Sequence, residues 1–158
     1  MDHSLKTGIT FGLASATITT LGLMVGLHAG THSRLVVIGG IFTIAISDAF
    51  SDAVGIHISE ESENVHTTKQ IWVSTIATFL SKFIFSLSYV IAVLLFELTT
   101  AIIINIIWGC FLLVLLSYCI AREQQERPWK VIGEHVSIFF IVIIITHFVG
   151  ERISQFFG

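Results

Sequence analysis

The stretch FIVIIIT (residues 140–146) decides the fold class. Its side chains show none of the polar–apolar alternation that a membrane β-strand needs for its two differently solvated faces. It lies in an apolar run from Val131 to Val149. Coiled into a helix, such a run meets the roughly 20-residue length needed to cross ~30 Å of hydrocarbon, with its backbone polar groups satisfied internally. Outward from it, four more runs of that kind occur at about Gly8–His28, Leu35–Ile58, Ile71–Phe96 and Ala101–Ile120. The chain has 158 residues, of which 54% are hydrophobic and 12% charged, and a mean hydropathy of +0.88. That is more apolar side chain than one soluble core of this length hides. The prediction is an all-α integral membrane protein, one five-helix transmembrane domain over residues 1–158.

Lys and Arg in short loops mark the cytoplasmic side. Lys6, Lys69, Arg122, Arg127 and Lys130 fall on one side and Arg34 and Arg152 on the other, which places the N-terminus inside and the C-terminus outside. The first run is too long for a removable signal peptide. Short loops and no presequence point to a prokaryotic cytoplasmic membrane, with lipid as the surrounding partner. The net charge of −3 comes without a basic cluster, so nucleic acid is not an expected partner. Cys110 and Cys119 lie ~13 Å apart along one helix and cannot bridge each other within a copy. Pro128 is placed to open the fifth helix, beside an interfacial Trp129.

The second run carries SDAFSDAVGIHISEESE (residues 47–63), with two aspartates where the surroundings should be apolar. At about 100° per residue, Asp48, Ser51, Asp52, Gly55 and Ser59 share a face, which Ser62, Glu63 and His66 join if the helix continues. His57 lies opposite. A charge in mid-membrane costs at least ~2.5–3.5 kcal/mol, so this face should meet protein or water. Thr75, Thr78, Lys82, Ser86 and Tyr89 form a matching stripe in the third run, and Lys82 reaches the depth of Asp48. An Asp48–Lys82 pair is predicted, serving either helix register or function. One lysine cannot neutralise two acids, so Asp52 is the candidate for a cation or proton. The loop 59–70 carries Glu60, Glu61, Glu63 and His66, which read equally as a solvated surface or as a collector of cations at a cytoplasmic mouth.

In the first run Gly8, Gly12, Ser15, Thr19, Gly22, Gly26 and Gly30 fall within a narrow arc. Small residues at this spacing allow close helix approach, across a dimer axis or inside one subunit. His28 and His32 read as solvated histidines, His147 and Glu151 as an interfacial pair, and Glu134, beside His135, as a complement to its helix dipole. No nucleophile–base–orienter constellation, phosphate loop or HExxH motif occurs, and the chain reads as a non-enzyme without a resident cofactor.

FGLASATITTLGLMVGL (residues 11–27) resembles the glycine- and threonine-rich first helix of the vacuolar iron transporter family, and GIHIS (residues 55–59) falls where that family has Gly-x-Tyr-x-Ser. The resemblance implies a compact homodimer that moves divalent iron or manganese out of the cytoplasm in exchange for protons, along a path lined by the first two helices of each subunit. Ser15 and Ala16 stand where the family has Asp-Gly, Asp52 where it has a methionine and Ile44 where it has a glutamate. The family's cytoplasmic metal-binding helices shrink here to roughly Ser59–Gln70. An acid is thus exchanged between helices, and a hard oxygen ligand at Asp52 favours Mn2+, Fe2+ or protons over softer ions. The expected path is Asp48, Asp52, Ser15, Thr19, Ser59 and Lys82. The expected metal ligands are Asp52, Asp48, Glu60, Glu61, Glu63 and His66, and the expected homodimer contact is Gly8, Gly12, Gly22 and Gly26. The rival readings are a proton-coupled carrier of another solute and a non-transporting structural or partner-binding membrane protein.

Overall fold

A computed structural model describes residues 3–157. Its helices are α1 (His3–Thr31), α2 (Arg34–Glu63), α3 (Thr68–Leu95), α4 (Leu98–Glu123) and α5 (Pro128–Phe157). Among the described residues no strand occurs. All five helices are long and apolar enough to cross a membrane. The chain is therefore an integral membrane protein of helical type, as the unalternating runs require.

Each helix is longer than its apolar stretch, and polar side chains cap the starts of α2 and α3. Ser33 accepts from the Val36 amide to start α2, and Thr67 with Gln70 forms a reciprocal capping box at the start of α3. Pro128 opens α5, its missing N–H harmless in a first turn. The expected loop at 59–70 is mostly helix: α2 runs on through Glu63 and ends where Asn64 takes a left-handed φ of 55°. Four residues, 64–67, make the link.

Connections this short reverse the chain each time, so α1, α3 and α5 run parallel to one another and opposite to α2 and α4. α1 is the hub. It packs most extensively on α3 and α5 and also touches α2 and α4. α2 rests on α3 and α1, and α4 on α5, α1 and α3.

The hub position explains the glycines of α1. A Cβ at Gly8 would stand 2.5 Å from the Ser74 carbonyl oxygen, and one at Gly12 would stand 2.7 Å from that of Thr78. Gly22 and Gly26 lie against Val142 and Thr146 of α5. The face expected across a dimer axis is occupied by the subunit's own helices, because two parallel neighbours need backbone-to-backbone approach there. Beyond the middle of the bundle the core closes around Leu21, Met24, Ile41, Val93, Leu113 and Phe139. The outer face of α2 remains uncovered: Gly39, Thr43, Ser47, Ser51, Gly55 and Ser59 recur every fourth residue and are all exposed.

Gly12→Val forces α1 from α3, and overpacking of this kind costs about 1–3 kcal/mol. Gly39→Ala meets nothing within 4 Å and is expected to leave stability within about 0.5 kcal/mol of the parent or above it. Thermal unfolding of the purified protein in detergent checks both, and equal effects would show that α1 is not the packed hub.

Candidate functional site

Asp48 is the fifteenth residue of α2, Lys82 the fifteenth of α3 and Ser15 the thirteenth of α1, so all three stand near the midpoints of helices 28 to 30 residues long. Short links keep the helix ends level, and equal counts from an end become equal depth. Lys82 is fully buried there. Its Nζ donates to Ser15 Oγ at 2.6 Å and to Asp52 Oδ2 at 2.6 Å, and it forms an ion pair with Asp48 Oδ2. Three ammonium protons thus meet three acceptors on two helices.

The predicted Asp48–Lys82 pair is present. Asp52, expected to lie outside that pair, shares the same ammonium, because it sits one turn along the same face of α2. Two carboxylates and one ammonium leave one negative charge on the group. The carboxylates are not sealed: the Asp48 side chain is 27% and the Asp52 side chain 17% exposed, against 0% for Lys82. Thr19 Oγ1 lies 2.9 Å from Asp48 Oδ2 and 2.9 Å from the Ser15 carbonyl oxygen, one proton facing two acceptors.

Two grooves approach this level along α1 from opposite ends of the bundle. One, of about 380 Å3, runs from Thr7 and Thr10 to Ile18, walled by Ile56, Leu113 and His135. The other, of about 470 Å3, runs from Thr19 to Thr31, walled by Ile44 and Thr146. Ile18 and Thr19, where they end, are consecutive.

The acidic residues of the α2 end separate. Glu60 is buried, its Oε2 2.5 Å from Ser74 Oγ. Glu61 and Glu63 are exposed. Glu63 Oε2 lies 3.2 Å from His66 Nε2. Ser59 is exposed two turns from Asp52, and its carbonyl accepts from Ser62. Among the described residues no three His, Cys, Asp or Glu side chains are grouped to hold a metal.

Several polar contacts escape a reading of single faces. Thr20 Oγ1 and Ser86 Oγ lie 2.9 Å apart and Tyr89 donates to Thr17 at 3.4 Å, both between α1 and α3. His57, read from the sequence as opposite the acids, also meets α3, at Thr75 at 3.0 Å. Ser74 and Ser81, seven residues apart on α3, belong to the buried stripe that the third run announces with Thr78, Lys82 and Ser86. Their period is the signal that finds them.

The chain matches no protein-family model, no curated protein and no solved structure.

Lys82→Met removes the ammonium and leaves two carboxylates facing each other. Breaking a buried pair in this way costs about 3–5 kcal/mol. Adding Asp48→Asn to Lys82→Met is expected to recover part of that loss, since one of the repelling charges disappears. A double-mutant cycle of unfolding midpoints reads the coupling, and additive effects would show that the two side chains do not share a charge.

Proposed function

We propose that the chain carries a divalent cation, Fe2+ or Mn2+, out of the cytoplasm in exchange for protons, with the Asp48–Lys82–Asp52 group as the midpoint of the path. One observation carries the reading: a single buried ammonium is shared by two carboxylates that stay partly exposed at mid-depth, leaving one negative charge for a mobile cation. The Oδ2 atoms face Lys82, which leaves the Oδ1 atoms to a proton or a metal. Carboxylate and hydroxyl oxygens from Asp48, Asp52, Ser15 and Thr19 form a hard donor set, suited to Mn2+ and Fe2+ more than to softer ions. In this reading a proton takes the place of the departing metal on the same carboxylates.

Of the two grooves that end at Ile18 and Thr19, the second reaches the group through Thr19, the partner of Asp48, while the acids themselves line neither. The N-terminus faces the cytoplasm in this reading, so Glu61, Glu63 and His66 gather cations at the entrance. Glu60 is packed against Ser74 and holds α2 to α3 instead. The partly exposed acids cannot face hydrocarbon at low cost. A second copy set against the Gly39–Ser59 stripe of α2 would cover them and double the ligand set, moving the homodimer contact from α1 to α2.

A second reading has its own observation. All three protons of Lys82 are engaged, as in a fixed pin that sets helix register in a membrane protein without flux.

Proteoliposome flux of Mn2+ under an imposed pH gradient separates the two. Wild-type flux that falls at least about tenfold in Asp52→Asn and Asp48→Asn, with both variants folded, supports the carrier; a barrier raised by ~1.4 kcal/mol gives that factor. Flux retained in both variants removes the group from the path. No flux in the wild type, together with collapse of Lys82→Met in detergent, leaves the pin.

A further inference from the structure

The end of the bundle opposite the N-terminus gathers side chains that the mid-depth group does not use. His28 and His32 close α1, and His147 and Glu151 lie in α5. The chain positions read as two unrelated pairs, a solvated one and an interfacial one. Close packing joins them. A Cβ on Gly26 would stand 3.3 Å from the Thr146 carbonyl oxygen, one on Gly30 the same distance from that of Gly150, and one on Gly150 3.0 Å from Ala29 Cβ. His147 and Glu151 directly follow two of these contact residues, and His28 directly precedes the third. The two pairs thus stand at the same level on neighbouring helices.

The imidazoles are disposed like ligands. His32 takes a left-handed φ of 51° and its amide bonds the His28 carbonyl at 3.0 Å, which turns its ring back toward His28. Their ring centres lie 5.4 Å apart. Two imidazoles on one tetrahedral ion, with metal–nitrogen bonds of ~2.0–2.1 Å, hold their centres about 5 Å apart. His28 Nδ1 is buried and has no hydrogen-bond partner. A buried ring nitrogen without a donor or acceptor keeps its lone pair or proton unused, as a metal ligand's would be before the ion arrives. His147 Nε2 stands 3.4 Å from Glu151 Oε1, and both side chains are about half exposed, hence free to swing.

We infer that His28, His32 and His147, with Glu151, bind a divalent first-row transition metal of borderline character, Zn2+ or Co2+, at this end of the bundle. No preformed group of three ligands is present among the described residues. Closure takes a rotation of His147 from Glu151 toward the His28–His32 pair, with Glu151 as fourth ligand. Nitrogen donors set this site apart from the oxygen-lined mid-depth group, which takes a harder ion. The inference stands whether or not the chain transports.

Titration of the purified full-length protein in detergent with Co2+, followed by its visible ligand-field absorption, tests it, with Zn2+ competition as the second readout. The wild type is expected to bind Co2+ tetrahedrally and release it to Zn2+. His147→Ala and His32→Ala, both at exposed side chains, are each expected to weaken binding ~10-fold or more. Absence of Co2+ absorption in the wild type overturns the proposal, as does binding that survives His147→Ala together with His32→Ala. Binding lost in Asp52→Asn but kept in the histidine variants also overturns it, since the ion then sits at mid-depth.

Discussion

The structure turns on one ammonium group buried among three helices. Lys82 comes from α3, its carboxylate partners from α2 and its hydroxyl partner from α1. An unpaired lysine at this depth is costly, and so is either aspartate alone. Each makes the others tolerable, and only if the three helices keep their relative height and rotation. A slide of one turn along α2, ~5.4 Å, would put one acid where the other stood and carry that other away from the ammonium. The alignment of α1, α2 and α3 is thus set by charge, while their closeness is set by small side chains.

Those two devices divide the labour along α1. Toward the N-terminal end, Gly8 and Gly12 bring the α3 backbone against it; beyond the middle, Gly22, Gly26 and Gly30 do the same for α5. Between them stand Ser15, Thr17, Thr19 and Thr20, whose hydroxyls meet Lys82, Tyr89, Asp48 and Ser86. Several also bond carbonyls one turn back, as Thr17 does to Leu13 and Thr78 to Ser74. Local bonding of this type lets hydroxyls line a tight interface without leaving a donor unsatisfied.

Much of this was legible from residue types and periods. Unbroken apolar runs declare the helices, and the positions of Asp48 and Lys82 within their runs declare the pair, because depth in a membrane follows from counting along a straight rod. Helix ends were less legible, since hydropathy ignores caps such as Ser33 and the Thr67–Gln70 box. The neighbour of each helix face was not legible at all. The glycine arc of α1 looks the same whether α3, α5 or a second copy lies against it, and only the packing assigns it inward. The shared use of Lys82 by Asp52 was hidden for a related reason: a count of charges reads one cation as one partner, whereas an ammonium has three protons to place. His28 and His147, 119 positions apart, come to the same end of the bundle through the glycine contacts of α1 with α5, which no local pattern announces.

The four-residue link between α2 and α3 bears on how the chain is made. The acids leave the ribosome about thirty residues before the lysine that matches them. An α2 released alone into lipid would carry two naked carboxylates, whereas α2 and α3 entering together as an antiparallel hairpin carry their own counterion. Biosynthesis therefore favours retention of α2 beside the insertion machinery until Lys82 has emerged, so that lateral release is a paired event. α1 must wait longer still, since its partner α5 follows α4 in the chain.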